Sequence, residues 1–160
     1  MDIEARLAAM EMKLRLLEDR AEIFQLMASY GPAVDSLSAA PLASLWRPDG
    51  VYRSDTLVFE GQDGVAGLLR SEFHQQVVKA GSAHIVSLPH LDIEADRAVA
   101  TGYSLLVVCQ EENHRIIRAS ANRWEFIRSP QGWRVEARTN RRLNGDEQAR
   151  ALLGQMFSAF

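Results

Sequence analysis

Cysteine is almost absent from this 160-residue sequence: Cys109 stands alone, so no intramolecular disulfide can form and a cysteine-rich zinc site is excluded. Its place after the apolar run Leu105 to Val108 predicts a buried, inert thiol. Histidine is scarce too, with four copies, and none has acidic residues at metal-ligand spacing, so no histidine-based metal site is read and no cofactor is expected. His74 and His114 read as exposed, and His90 adjoins Pro89. No run approaches the ~20 apolar residues that span a bilayer. The first residues, which include Asp2 and Glu4, lack the basic and apolar segments of a secretory signal, which predicts a cytoplasmic protein without membrane contact. A formal charge of -3 lacks the electrostatic footprint of a nucleic-acid binder. Eight arginines do fall between Arg115 and Arg142. Their alternation with acidic and apolar residues reads as a solvated sheet face plus one or two site residues.

What is present is ordinary globular material. Hydrophobic residues make up 47% and charged residues 24%, which argues against disorder, and the length predicts one domain over residues 1–160 with its own core. Residues 3 to 30 read as one long helix. Ile3, Leu7, Met10, Leu14, Leu17, Ala21 and Phe24 recur in alternating steps of four and three, a heptad-type stripe expected to meet the core or a partner subunit. Gly31-Pro32 should break or kink this helix. A short segment carrying Leu37, Leu42, Leu45 and Trp46 ends at Arg47-Pro-Asp-Gly50, a turn signal. Residues 51–54 and 57–60 look like a short strand pair, and 63–79 like a helix with Val65, Leu68, Leu69, Phe73 and Val77 on one side.

After Gly81 the pattern turns to period two. Strands are predicted over 84–94, 97–110, 115–128 and 133–143, joined by short connections that favour antiparallel pairing, with a helical or frayed tail beyond 146. Helices first and a long meander afterwards predict an α+β fold: a cone-shaped barrel in which a long curved antiparallel sheet wraps around the N-terminal helices and opens at one end into an apolar pocket.

Two residues suggest chemistry there: Asp35, in Tyr30-Gly-Pro-Ala-Val-Asp35, and His84, in Gly81-Ser-Ala-His84. A carboxylate that orients an imidazole and stabilises its protonated form makes a general base for removing a proton from carbon near neutral pH. Parity on 115–127 puts Arg118, Ser120, Asn122, Trp124 and Phe126 on one face, and the two aromatics mark it as inner. Ser120 and Asn122 are then polar groups in an apolar cavity, satisfied structurally or aimed at a ligand, with Arg118 nearer the rim. On 84–94 the parity slips, and a bulge at Pro89, which cannot donate to a ladder, would turn both His84 and Leu91 inward.

The element order, the Tyr30 to Asp35 spacing, Asp49-Gly50 before a strand, His84 five residues before Pro89 and Gly132-Trp-Arg-Val135 together resemble the SnoaL-like part of the nuclear-transport-factor-2-like superfamily, over roughly residues 15–143. Within it the chain is most similar to scytalone dehydratase, at Asp35, Tyr52, His84, Ser120 and Asn122. Bile-acid dehydratases and a dehydrochlorinase resemble it at Asp35 and His84, the former also at Tyr30. Val34 stands where scytalone dehydratase has a second tyrosine, Gln110 near its second histidine, and Val108 near an acid of the bile-acid enzymes.

The resemblance implies a cofactor-independent lyase, foremost a dehydratase acting on a cyclic or aromatic hydroxylated substrate. His84 would be the base, Asp35 its orienter and Tyr52 the group that polarises an oxygen. Ser120 and Asn122 would hold the departing hydroxyl, with Tyr30 and Trp124 as apolar walls and Arg118 at the rim. Ketosteroid-type isomerisation and aryl side-chain cleavage would begin with the same proton transfer, and a non-catalytic binding or scaffold member shares the fold. A homo-oligomer, dimer or trimer, is also implied.

Overall fold

The structure, a computed structural model, describes residues 2–157. Helix α1 (Ile3–Asp35) is rich in alanine, leucine, methionine, glutamate and arginine, all good helix formers. Its C-terminal half buries Ile23, Met27, Tyr30 and Val34, spaced by four, three and four residues. The N-terminal stripe does not reach the core: Ile3, Leu7, Met10, Leu14 and Leu17 are all exposed.

Gly31-Pro32 does not end the helix either. Pro32 removes one N–H, but the helix has only three residues left to run, and burial of Ala33 and Val34 holds that turn. Termination follows at Leu37, which adopts the left-handed region (φ 55°). Ser38 N–H donates to Ala33 O (2.9 Å) and Leu37 N–H to Val34 O (3.1 Å), the paired bonds of a Schellman motif. Asp35 is thereby the last residue of the helix. Gly31 has a separate function: a Cβ there would overlap the backbone carbonyl oxygen of His84, so only glycine lets α1 lie this close to the strand that carries the histidine.

After α2 (Ala39–Ser44), strand β1 (Trp46–Arg53) incorporates the expected turn Arg47 to Gly50 as an irregularity in its register. Gly50 is required there, because a Cβ would press on the Trp46 ring and on Val135 O, each at 2.8 Å. Strand β2 (Val58–Glu60) pairs with β1 as expected. The segment read as one helix over 63–79 is divided into α3 (Gly61–Gly67), a 3-10 turn and α4 (Glu72–Ala80). Ser71 caps α4 by accepting from His74 N–H.

The strand read over 84–94 is two strands, β3 (Ser82–Val86) and β4 (His90–Glu94), which pair with successive parts of β5 (Arg97–Gln110). Val86 faces Ser104 and His90 faces Thr101, so four steps oppose three and one residue is extra around Pro89. Strands β5, β6 (Asn113–Ser129) and β7 (Gly132–Arg142) form the expected antiparallel meander. The sheet is mixed rather than wholly antiparallel, in the order β2-β1-β7-β6-β5-β3, because β1 joins β7 in parallel. Helices α3 and α4 carry the chain from β2 to β3 at the far edge of the sheet, and the meander then brings β7 back beside β1.

The curved sheet wraps the C-terminal half of α1 in a cone-shaped α+β fold, with Trp46, Trp124, Phe126 and Trp133 among the buried side chains between them. Helix α5 (Glu147–Gly154) covers the other side of β6, packing Ala149 and Leu152 on Ala121. Cys109 is partly rather than fully buried. None of the helices among the described residues is long and apolar enough to cross a membrane.

Candidate functional site

Asp35 and His84 meet where the end of α1 lies against β3. His84 Nδ1 is 2.7 Å from Asp35 Oδ1, which also accepts from Ser82 Oγ at 2.6 Å. Asp35 Oδ2 accepts from the backbone N–H of His84 at 2.7 Å. The carboxylate therefore holds both the ring and the backbone of its partner. With Nδ1–H donated to Asp35, the Nε2 lone pair of neutral His84 is left free. Burial pushes the imidazole below its ordinary value of 6.5, and the charge of Arg138 pushes the same way, against the raising effect of Asp35. Neutral His84, the form able to accept a proton, is thus the resting form near pH 7.

His84 lines a small, part-open cavity of about 70 Å³, together with Tyr30, Tyr52, His74, Ser104 and Ser120. Arg118, Arg138 and Asn140 contribute polar wall and Phe73, Ile85 and Leu106 apolar wall, so the cavity is more polar than the sequence implied. Arg118 sits at its rim as expected, donating to Ser120 Oγ (3.0 Å), Asn140 Oδ1 (2.7 Å) and Asp55 Oδ2 (2.8 Å).

Asn122 and Trp124 are on the inner face, as parity required, yet neither lines the cavity. Asn122 Oδ1 accepts from Arg138 Nε (3.1 Å), Arg138 Nη2 (2.8 Å) and Asn140 Nδ2 (2.9 Å), while its Nδ2 donates to Ser104 Oγ (2.8 Å). An amide so engaged has no capacity left for a ligand and instead orients the groups in front of it. Trp124 supports Tyr30 from behind, ring centroids 5.5 Å apart and nearly perpendicular.

Two ionisable residues of the cavity, among others that line it, escaped the sequence reading. Arg138 is 2% exposed, with its guanidinium 4.1 Å from the Tyr30 ring, 4.2 Å from Trp124 and 4.8 Å from Tyr52. It makes no ion pair among the described residues, and its Nη1 is buried without a hydrogen-bond partner. A buried cation with one unused donor is costly unless something else completes it. Period two hid this residue. The β6–β7 register shifts between Glu125 and Phe126, so Trp133 and Val135 are buried on one parity and Arg138 and Asn140 on the other.

The second is His74, read as exposed but in fact buried, its ring stacked on that of His84 at 5.7 Å and 12°. Its Nδ1 is 2.9 Å from Ser71 Oγ. That hydroxyl already accepts from the His74 backbone and has its own proton to give to Nδ1, an arrangement compatible with the ring proton on Nε2. Burial and the neighbouring His84 push His74 down to about 4, so it is neutral. Its three-residue spacing from buried Val77 on α4 was the available signal. Tyr30, enclosed by the core, has its hydroxyl pushed far above the ordinary tyrosine value, chiefly by burial, and stays protonated.

A crystal structure of an NTF2-like protein with a cystatin-like fold from Novosphingobium aromaticivorans is similar at 40% identity, over 96% of this chain and 98% of that one, with a TM-score of 0.89. Two more distant structures share the fold. One is a hexachlorocyclohexane dehydrochlorinase from Novosphingobium barchaimii (20% identity, 82% and 90% of the chains, TM-score 0.71). The other is a Catenulispora acidiphila protein in complex with S-DNPA (22%, 79% and 94%, TM-score 0.69). No curated protein matches the chain. The family described as the SnoaL-like domain matches residues 15–139, and the chain, folded as its relatives are and with an aspartate and a histidine joined inside the cone, belongs to that family.

Proposed function

We propose that the chain is a cofactor-independent lyase, foremost a dehydratase of cyclic or aromatic hydroxylated substrates. The observation that carries this reading is the 2.7 Å contact between Asp35 and His84 Nδ1, on a histidine that lines a cavity shared with Arg138. His84 Nε2 takes a proton from a carbon adjacent to a carbonyl or aromatic system. Asp35 stabilises the imidazolium that forms. Negative charge develops on the substrate oxygen, and the free Nη1 of Arg138 together with Tyr52 are the donors suited to meet it.

The C–O bond beyond the carbanion then breaks, a C=C bond forms, and the hydroxide leaves with the proton returned by His84, so that water is the only by-product. Ser120, on the cavity wall, can hold the departing hydroxyl. Asn122 acts from behind, by fixing Arg138, and neutral His74 can donate its Nε2–H to an oxygen of the ligand. Tyr30 supplies an aromatic wall, Trp124 backs it, and Arg118 closes the rim. The fold neighbour that carries the name dehydrochlorinase would share the first half of such a sequence, with chloride in place of hydroxide. The resemblance to scytalone dehydratase at Asp35, Tyr52, His84, Ser120 and Asn122 supports dehydration over isomerisation, which returns the proton to carbon instead.

The test is to incubate the protein in D₂O with a panel of cyclic and aromatic β-hydroxy ketones, following enone formation by absorbance and deuterium uptake by mass spectrometry. Enone formation lost in His84→Ala supports the dehydratase. Deuterium uptake without enone points to the isomerase. Binding with neither would overturn the enzyme reading.

A further inference from the structure

The N-terminal half of α1 carries a surface that the proposed chemistry does not use. Ile3, Leu7, Met10, Leu14 and Leu17 are between 56% and 78% exposed, although they form one continuous stripe about 21 Å long at ~1.5 Å per residue. A stripe of this kind costs solubility unless something covers it.

The charges beside it specify what does. Steps of four from Ile3 and of three from Leu7 make Ile3, Met10 and Leu17 heptad d positions and Leu7 and Leu14 a positions. Glu4, Glu11 and Glu18 then all occupy e, and Arg6 and Lys13 both occupy g. None of these five makes an ion pair among the described residues. In a parallel pair of helices each g residue faces the e residue of the following heptad on the other chain, so Arg6 meets Glu11 and Lys13 meets Glu18, twice over by symmetry. In an antiparallel pair g faces g and e faces e, and every contact is between like charges. The domain packs on a different side of the helix, at Ile23 and Met27, and leaves the stripe free.

We propose that residues 3–21 of α1 pair in parallel and in register with the same segment of a second copy of this chain. The occupant is another copy because one sequence supplies both the apolar seam and its complementary flanks.

Light scattering of the intact protein, against a Leu7→Asp/Leu14→Asp variant, tests this. The parent should have the mass of a dimer and the variant that of a monomer, with the same circular dichroism, since both side chains are exposed. Glu11→Lys/Glu18→Lys should also be monomeric, and mixing it with Arg6→Glu/Lys13→Glu should restore the dimer. Direction is read from Leu7→Cys in a Cys109→Ser background, which should oxidise to a disulfide-linked dimer only if the two Leu7 positions meet. A monomeric parent, a mass indifferent to the aspartates, or a dimer that fails to cross-link at position 7 would overturn the proposal.

Discussion

Two arginines on neighbouring strands, Arg128 on β6 and Arg138 on β7, show opposite ways of accommodating a guanidinium. Arg128 grips Asp19 with two bonds of 2.6 and 2.7 Å, reaches Asp96 at 2.9 Å and lies 4.5 Å over the Trp133 ring. Trp133 Nε1 completes the cluster by donating to Asp19 at 2.9 Å. This assembly locks α1 onto the sheet. Arg138 is more deeply buried and has no carboxylate, only aromatic faces, an amide oxygen and an idle Nη1. A group closed on every side does structural work. One left incomplete beside a cavity keeps a donor that its own surroundings do not use.

That contrast is broken most severely at the dyad. His84→Ala should lower turnover by about 10²–10⁴-fold while leaving the melting temperature nearly unchanged, because little of the fold depends on the ring. A comparable loss of stability would mean that His84 belongs with Arg128 among the structural groups. Adding an atom to the same region should do the reverse. Gly31→Ala is expected to cost about 3 kcal/mol in urea unfolding, since its methyl meets a backbone oxygen that cannot swing aside.

The arginines themselves come next. Arg128→Met should cost about 2 kcal/mol by the same measurement, through loss of charge-assisted bonds. Arg138→Met should change stability by less than about 1 kcal/mol, because a buried charge without a counterion leaves together with its bonds. Equal losses would erase the distinction.

The smallest effect is in pH. His74 and His84 both titrate lower in the folded protein than the ordinary 6.5, so the unfolded chain takes up protons first. Their contribution is complete above 6.5 and is lost as pH falls, for His74 down to about 4. Asp19, held below 3.8 mainly by its bonds to Arg128, contributes in full above that value and is lost only below it. Stability should therefore decline in two separate windows. His74→Asn should flatten the upper one and Asp19→Asn the lower, as read from melting temperature against pH.

Much of this was legible in the chain because it depends on periodicity. The meander after Gly81, the inner face of Ser120, Asn122, Trp124 and Phe126, and the extra residue near Pro89 follow from alternation and from proline chemistry. What escaped depends on departures from periodicity. The bulge opposite Phe126 reverses parity and conceals Arg138. The 3-10 turn before α4 rotates His74 inward, and the parallel β1–β7 pairing depends on a crossover that no local pattern announces. Gly31 read as a helix breaker. Its role is fixed by an oxygen some fifty residues away, which only the folded chain brings near.

The position of Asp35 as the final residue of a 33-residue helix has an electrostatic consequence of its own. The carbonyls of the last turn give that end of α1 a partial negative charge, and no basic side chain in the turn neutralises it. Whenever His84 takes up a proton, the new cation is met by the carboxylate and, behind it, by the negative pole of the helix. The macrodipole thus opposes the penalty that burial places on protonated His84, and it does so with peptide groups that no side-chain substitution can remove.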